Sequence, residues 1–344
     1  MRSFPGMKQV PLEDRAMFSA LFLLEHYFPG SALIKRRKES TRLRIAEHLR
    51  RGGKGRIIPV ERVTSTSPEE FRRRYLSKGI PVILEKAAAD WPCVKKWSFS
   101  GLKERFGHET IKLLKHKGLS DDDVVDEREF SEEIEFGAFL DQAINGGTKY
   151  MRFSPLLEKF PELREDFDRR FFKTMSGSWG TQYQLFIGGQ GTYTLLHNAM
   201  TPFFFVNVCG IKRWALIPCQ YLAVLNPSTE QQNYNHSDAA IDLSNVDQFP
   251  GFESIDRMEA VIGPSDILYI PSWLWHTVQN DVPTIGVRCG FIYPRNILTE
   301  SFTLTFLRMV AARRNFLRSL YHQLFKTNLP ERDSWLLTPK LYRN

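Results

Sequence analysis

The sequence has no long hydrophobic run near its amino terminus, which excludes a membrane-spanning helix there. The most apolar stretch of that region, Met17 to Leu24, is followed by Glu25 and His26 and is too short to cross a bilayer. A signal peptide is not expected either, because Glu13 and Asp14 precede the stretch and no small-residue cleavage site follows it. We therefore expect a soluble, intracellular, cytoplasmic protein.

Cysteine is scarce, with four residues in a chain of 344. None has the C-x-x-C spacing of a zinc knuckle, and the scatter of the four does not suggest a disulfide framework. We expect small buried side chains in a reducing compartment. Repeats of fixed period are also absent, which argues against solenoids and propellers. The composition, 42% hydrophobic and 25% charged, is that of an ordinary globular protein.

The net charge of +8 has a local origin. The segment from Lys35 to Arg56 holds ten basic residues against Glu39 and Glu47, so it accounts for the whole excess. Such a segment could contact nucleic acid or an acidic partner. The alternative is a solvated helix face, and the lack of interleaved aromatic residues for base stacking favours it.

The pattern divides the chain into four parts: an amino-terminal helix and basic segment (1–56), an α/β part (57–182), a strand-rich core (183–295) and a helical tail (296–344). Residues Gly52 to Gly55 resemble a linker between the first two parts. The apolar spacing of the tail favours a packing surface or a homodimer contact through its helices.

Two further features belong to the first half of the chain. A helix is predicted from Leu12 to about Phe28, and Ser67 followed by Pro68 is typical of a helix start. The acidic segment from Asp121 to Glu135 is predicted to be a solvated loop, because it lacks the ligand spacing of a calcium loop.

Short strands punctuated by Gly and Pro dominate from Tyr183 to Tyr293. This pattern indicates a sandwich or a barrel. The most apolar of these runs are Phe203 to Val208, Arg213 to Ile217, Ile267 to Ile270 and Ile285 to Phe291.

Eight histidines are present, and two of them stand in distinctive surroundings. His197 follows a glycine-rich stretch that begins at Gly188, and His276 ends the stretch Gly263-Pro264-Ser265-Asp266-Ile267-Leu268-Tyr269-Ile270-Pro271-Ser272-Trp273-Leu274-Trp275-His276. The other six have no partner at ligand spacing, and we expect them to be surface or core residues: His26, His48, His108, His116, His236 and His322.

Together with Lys212-Arg213-Trp214 after Gly210, these motifs resemble the JmjC family, the cupin-like iron(II)/2-oxoglutarate oxygenases. The resemblance is closest from Tyr183 to Tyr293. The stretches Gly79 to Trp91 and Phe136 to Leu140 are similar to the amino-terminal part of the small hydroxylase-type members.

The resemblance implies a mostly β fold with flanking helices, a double-stranded β-helix of the jelly-roll type. It implies Fe(II) and 2-oxoglutarate as cofactors, with His197 and His276 as metal ligands. Lys212 and Thr194 match the residues that bind the far carboxylate of 2-oxoglutarate, and Asn207 stands where some members place another polar contact.

The sequence departs from the family at the third metal ligand. The family places an acidic residue two positions after the first histidine, where both side chains reach the same side of a strand. Here that position is Ala199, and no Asp or Glu occurs between residues 169 and 229. Asn198 cannot substitute, because it would face the opposite side of the strand.

Three hypotheses follow from this substitution. The leading one is a radical halogenase, because known iron/2-oxoglutarate halogenases also replace the acid by Ala or Gly and bind chloride in its place. The alternatives are a JmjC-type hydroxylase and a catalytically inactive binding protein. The resemblance leaves the substrate open among small molecules, amino acids and protein side chains.

Overall fold

Two large β-sheets face each other in the part of the chain that carries the histidine motifs. The computed structural model describes residues 3–114, 130–152, 156–178, 181–227 and 235–311. One sheet has six strands in the order β1-β12-β10-β14-β8-β11, the other seven in the order β2-β3-β13-β9-β15-β7-β6, and β4 pairs with β5 in a small third sheet. The strands are β1 (Ile57–Pro59), β2 (Arg62–Val63), β3 (Val82–Leu84), β4 (Thr110–Leu114), β5 (Phe130–Glu135), β6 (Tyr150–Met151), β7 (Thr181–Gly188), β8 (Leu196–His197), β9 (Phe203–Cys209), β10 (Lys212–Ile217), β11 (His236–Ser237), β12 (Arg257–Ile262), β13 (Ile267–Ile270), β14 (Trp275–Asn280) and β15 (Thr284–Phe291).

Helices surround these sheets on the amino-terminal and carboxyl-terminal sides. They are α1 (Leu12–Tyr27), α2 (Ala32–Arg51), α3 (Pro68–Phe71), α4 (Pro92–Lys96), α5 (Phe99–Phe106), α6 (Phe136–Ile144), α7 (Leu156–Lys159), α8 (Arg169–Ser176), α9 (Leu222–Leu225), α10 (Pro294–Glu300) and α11 (Phe302–Ala311). This arrangement confirms the predicted mostly β core with flanking helices.

Strand β9 shows why the sequence of this core reads as continuous apolar runs. Phe203 and Phe205 point to the space between the two sheets, whereas Phe204 and Val206 point to a second core under the helices. Both faces of the seven-stranded sheet are therefore covered, and a strand covered on both faces has no polar side to alternate with.

The amino-terminal helices are part of the barrel's own core. Phe18 and Phe22 of α1 and Ile45 of α2 are fully buried and belong to the apolar cluster that continues into the space between the sheets. Hydrogen bonds also hold the predicted linker. Lys8 Nζ donates to the carbonyls of Gly53 and Lys54, and the Gly55 amide donates to the carbonyl of Glu253. The segment 1–56 thus packs against the core, and the predicted domain boundary at residue 56 stays a prediction.

The basic residues of α2 and the turn after it have many acidic neighbours. Six of the ten form ion pairs within the described ranges: Lys38 with Glu25, Arg42 with Glu39, Arg44 with Asp14, Arg50 with Glu253, Arg51 with Glu47 and Arg56 with Asp256. Four of these pairs join the segment to α1 or to residues 253 and 256, and the other two lie within α2. Contact with an external acidic partner stays a prediction.

Most predicted elements of the core appear at their expected positions, and one prediction fails. Part of the acidic segment, residues 121–129, lies outside the described residues. The remainder forms β5 and not a loop, because it pairs with β4 and Lys112 Nζ lies 3.2 Å from Glu133 Oε1 across the two strands. The predicted helical tail is seen as α11, and residues 312–344 lie outside the described ranges.

Candidate active site

Two histidines meet on neighbouring strands inside the barrel. Strands β8 and β14 are antiparallel, and His197 stands directly opposite His276. Side chains of directly opposed residues share one face of a sheet, and the two ring centroids are 4.2 Å apart. Each residue is only 1% exposed. The sheet register therefore brings together the two histidines that the sequence predicted to share a site.

The backbone fixes which nitrogen of each ring carries the proton. His197 Nδ1 lies 2.7 Å from the carbonyl oxygen of Leu195, and His276 Nδ1 lies 2.9 Å from that of Leu274. Because a carbonyl can only accept, each Nδ1 is the donor and each Nε2 carries the lone pair. Metal-bound histidines commonly show this arrangement. Both rings therefore fit a divalent iron through Nε2.

The third position of the expected metal site offers only a methyl group. Ala199 is 2% exposed and belongs to the apolar core cluster. Among the described residues, no group of three His, Cys, Asp or Glu side chains could hold a metal ion. The protein part of the site thus fits two iron ligands, with further positions left to 2-oxoglutarate and other small ligands.

The strained turn that precedes β14 is hydrogen-bonded to Ala199. Trp273 has φ +60°, in the left-handed region that a large side chain rarely adopts, and its amide donates to the Ala199 carbonyl at 2.6 Å. Its indole nitrogen donates to the Ile297 carbonyl at 2.9 Å and to Thr305 Oγ1 at 3.0 Å. Burial raises the pKa of the Cys219 thiol far above its usual range, so this group stays protonated and donates to the Trp273 carbonyl. These bonds hold the turn that precedes His276.

A third histidine lies nearer to the pair than the sequence suggested. His236 on β11 stands opposite His197 in the register of β8 and β11, and their ring centroids are 6.2 Å apart. The sequence places His236 in a polar stretch without a neighbouring motif. Only the strand pairing shows that it adjoins the site.

Lys212 is buried inside the barrel, next to a tyrosine that the sequence did not indicate. Its side chain is fully buried, and Nζ donates to Tyr150 Oη at 3.0 Å. The ammonium also lies 5.0 Å from the ring centre of Phe205. Tyr150 fits here because it faces Gly188, where a Cβ would come within 2.6 Å of the tyrosine ring. A buried ammonium among such groups suits a carboxylate ligand.

Thr194 and Asn207 have different surroundings. The Thr194 hydroxyl accepts from the Val278 amide at 3.1 Å, which fixes it beside β14 while its own proton can be donated to a ligand. The Asn207 amide donates to the Gly210 carbonyl at 2.7 Å and to Ile262 at 3.5 Å, so it holds the turn before Lys212. The cosubstrate contact of Asn207 stays a prediction.

Comparisons with known proteins identify the family. A family model described as a cupin-like domain matches residues 68–297. The chain therefore belongs to the cupin-like JmjC family, whose members use Fe(II) and 2-oxoglutarate.

Individual relatives are distant. The chain is 25% identical over 215 residues to lysine-specific demethylase 8 of Xenopus tropicalis, which covers 62% of the chain and 48% of that protein. It is 27% identical over 236 residues to lysine-specific demethylase JMJ30 of Arabidopsis thaliana, covering 66% of the chain and 53% of that protein. Human tRNA wybutosine-synthesizing protein 5 is 22% identical over 272 residues, which are 73% of the chain and 82% of that protein. The chain spans about half the length of the first two relatives.

No helix among the described residues combines the length and the apolar character needed to cross a membrane.

Proposed function

We propose that this chain is an Fe(II)- and 2-oxoglutarate-dependent hydroxylase with His197 and His276 as its protein metal ligands. The observation that carries the proposal is the direct opposition of the two rings, each with its Nδ1 proton held by a carbonyl. The relatives named above are demethylases and a tRNA-modifying protein, and none is named as a halogenase. This supports hydroxylation over the halogenase hypothesis.

Each of the site residues has a separate task in this proposal. Bound iron, with 2-oxoglutarate and dioxygen, supplies the oxidising power for hydroxylation while 2-oxoglutarate becomes succinate and carbon dioxide. Lys212 would neutralise the far carboxylate of 2-oxoglutarate. The hydroxyl of Tyr150, which bonds Lys212 Nζ, and that of Thr194, which accepts from the Val278 amide, would help to orient it. The two histidines stay neutral and hold the metal in one orientation.

Ala199 supports a second candidate, in which a halide binds beside the histidines. A methyl group leaves room where a carboxylate would fill the position and repel an anion. Its buried, apolar surroundings are compatible with this hypothesis. The two candidates differ in the substrate product, because one adds oxygen and the other replaces hydrogen by chlorine.

The test compares the wild-type protein with the variants Ala199→Asp and Ala199→Asn. Asp restores a carboxylate ligand, so we expect it to raise the Fe(II) affinity roughly tenfold or more and to keep succinate formation, while the neutral Asn should not raise the affinity. Iron affinity is measured by titration, and succinate by mass spectrometry with and without chloride.

Three results are decisive. Succinate formation without chloride, retained in Ala199→Asp, agrees with the hydroxylase. A chlorinated product that requires chloride and disappears in Ala199→Asp would contradict the hydroxylase and support the halogenase. A wild-type protein that binds no iron and forms no succinate would contradict both and favour a binding protein.

A further inference from the structure

The outward side of helix α1 is apolar along its whole length. Seven residues of this helix are exposed, and a single one of them is charged: Leu12, Glu13, Ala16, Met17, Ala20, Leu24 and Tyr27. The last four follow one another at intervals of three or four residues, so they form a continuous stripe along the helix. A helix at a protein surface normally presents charged and polar side chains on this side. The stripe is therefore a candidate contact surface.

The apolar surface continues through the turn into α2. Phe28, the first residue after α1, is 58% exposed, and Leu33 in the first turn of α2 is 63% exposed. Tyr27, which precedes Phe28, is 47% exposed. Three large apolar side chains thus lie on the surface where the two helices meet. We call residues 27–37 the hairpin end.

The positive charge that has no acidic partner is concentrated at the same place. Six of the ten basic residues of α2 and the turn after it form ion pairs. Within the described ranges, the other four are exposed and have no carboxylate at ion-pair distance: Lys35, Arg36, Arg37 and Lys54. Arg36 and Arg37 share one face of α2 with Leu33, because residues three and four apart are neighbours on a helix. Basic and apolar side chains are therefore contiguous at the hairpin end.

The acidic residues of α1 pair inside the hairpin or lie far from its end. Glu25 pairs with Lys38, and Asp14 accepts from Arg44 at 2.8 Å, so both ion pairs also join α1 to α2. Glu13 lies in the first turn of α1, about 20 Å from the hairpin end. Both acidic residues of α2 pair with arginines of the same helix. The hairpin end is thus a surface of positive charge and apolar side chains.

We propose that the hairpin end binds the surface of an anionic lipid bilayer. Tyr27, Phe28 and Leu33 enter the boundary between headgroups and acyl chains, where aromatic side chains are favoured. The three consecutive basic residues contact acidic headgroups, whose negative surface potential attracts basic residues next to a membrane. This inference does not depend on the iron site. It places the chain at a membrane surface without a helix that spans the bilayer.

The chemistry of the hairpin end favours a bilayer over other partners. Nucleic acids stack their bases on flat rings, whereas Leu24 and Leu33 offer aliphatic surface. A second copy of this chain would bring an identical cluster of positive charge. The carboxyl-terminal segment 312–344 is also basic, with seven basic residues against two acidic ones. Like charges that meet in an interface oppose binding, and an anionic bilayer complements both the charge and the aliphatic side chains.

The test measures binding of the full chain to lipid vesicles by flotation. One set of vesicles is phosphatidylcholine alone, and the other contains about 30% phosphatidylserine, which supplies the negative surface potential. The basic variant is Lys35→Gln/Arg36→Gln/Arg37→Gln, and the apolar variant is Phe28→Ser/Leu33→Ser.

Two matched controls remove the same number of exposed side chains elsewhere. The basic control is Lys78→Gln/Lys95→Gln/Lys103→Gln, and the apolar control is Ile144→Ser/Leu298→Ser. The melting temperature of each variant, followed by circular dichroism, shows whether it is folded. If the basic variant does not fold, Arg36→Gln/Arg37→Gln replaces it.

We expect wild type and both controls to bind the anionic vesicles at least about tenfold more tightly than phosphatidylcholine alone. The basic variant and the apolar variant should each lose about tenfold or more in affinity for the anionic vesicles, because each lacks one of the two contributions. Added salt should weaken wild-type binding, since it screens the charge attraction.

Several results would overturn the proposal: no binding of wild type to anionic vesicles, binding unchanged in the basic or the apolar variant, or equal losses in the matched controls. A single-stranded RNA of about 16 nucleotides that binds through the same basic residues, in a protein that does not bind vesicles, would overturn it in favour of nucleic acid. None of these results concerns iron or 2-oxoglutarate, so the proposed function is tested separately.

Discussion

A histidine binds a metal through one ring nitrogen while the other holds the proton, and both candidate ligands meet this condition. The carbonyls of Leu195 and Leu274, each two residues before a histidine, accept the Nδ1 protons. The same local arrangement at two separate strands indicates that the rings are prepared for a common ligand. At the residue scale, the departure at Ala199 is thus confined to one position of the site.

Tyr150 provides a prediction at the same scale. The variant Tyr150→Phe removes the hydroxyl next to Lys212 Nζ and keeps the ring that packs against Gly188. We expect it to weaken 2-oxoglutarate binding about three- to tenfold, since one hydrogen bond next to a buried charge is lost. Titration of the iron-loaded protein without oxygen measures the effect. Tyr193→Phe, at an exposed tyrosine, is the control; equal affinity of Tyr150→Phe and wild type would contradict the assignment.

The site residues differ in how far the sequence could indicate them. His197, His276, Thr194 and Lys212 lie in motifs with local spacing, and the structure places them around one barrel interior. Tyr150 and His236 carry no such local signal. They reach the barrel through strand pairings over long sequence separations, which a reading of neighbouring residues does not reveal.

At the scale of elements, apolar strands were easier to predict than polar ones. Strand β13 has the predicted bounds, and β9 extends its predicted run by one residue. Strand β5 was missed because its residues are largely acidic, and its strand state depends on pairing with β4, where Lys112 offsets Glu133. Cross-strand partners of this kind stabilise a strand that its own composition does not favour.

Helix α7 carries a group whose titration affects stability. Burial raises the pKa of Glu158 from 4.5 to about 7, against the opposing effect of Arg164. The folded state therefore binds a proton more tightly than the unfolded state. The bound proton stabilises the folded state fully below about pH 4.5, and this stabilisation is lost as the pH rises through about 7.

We therefore expect Glu158→Gln, which mimics the protonated form, to melt at a higher temperature than wild type at pH 8 and at nearly the same temperature at pH 5. Thermal unfolding followed by circular dichroism across this range measures the difference. Glu162→Gln, at an exposed glutamate, serves as the control. A difference between Glu158→Gln and wild type that does not change with pH would refute the prediction.

At the scale of the molecule, two cores share the seven-stranded sheet. One lies between the two sheets and continues to the buried residues of α1 and α2, and the other lies under helices such as α6 and α8. The sequence suggested four consecutive parts, and buried residues of the first part pack in the same cluster as strand residues of the third. Long-range packing decides this, because the buried residues of α1 and α2 find their partners some 200 residues further along the chain.

We propose above all that His197 and His276 bind iron inside the barrel and that Lys212 binds the far carboxylate of 2-oxoglutarate there. The most direct test is an oxygen-free titration with Fe(II) and 2-oxoglutarate that follows the visible charge-transfer band of the chelate. The variants are His197→Ala and His276→Ala, with the exposed His108→Ala as control. We expect wild type and His108→Ala to develop a saturable band with one iron per chain, and both site variants to lose it. A wild-type protein without the band, or a band unchanged in His276→Ala, would contradict the account.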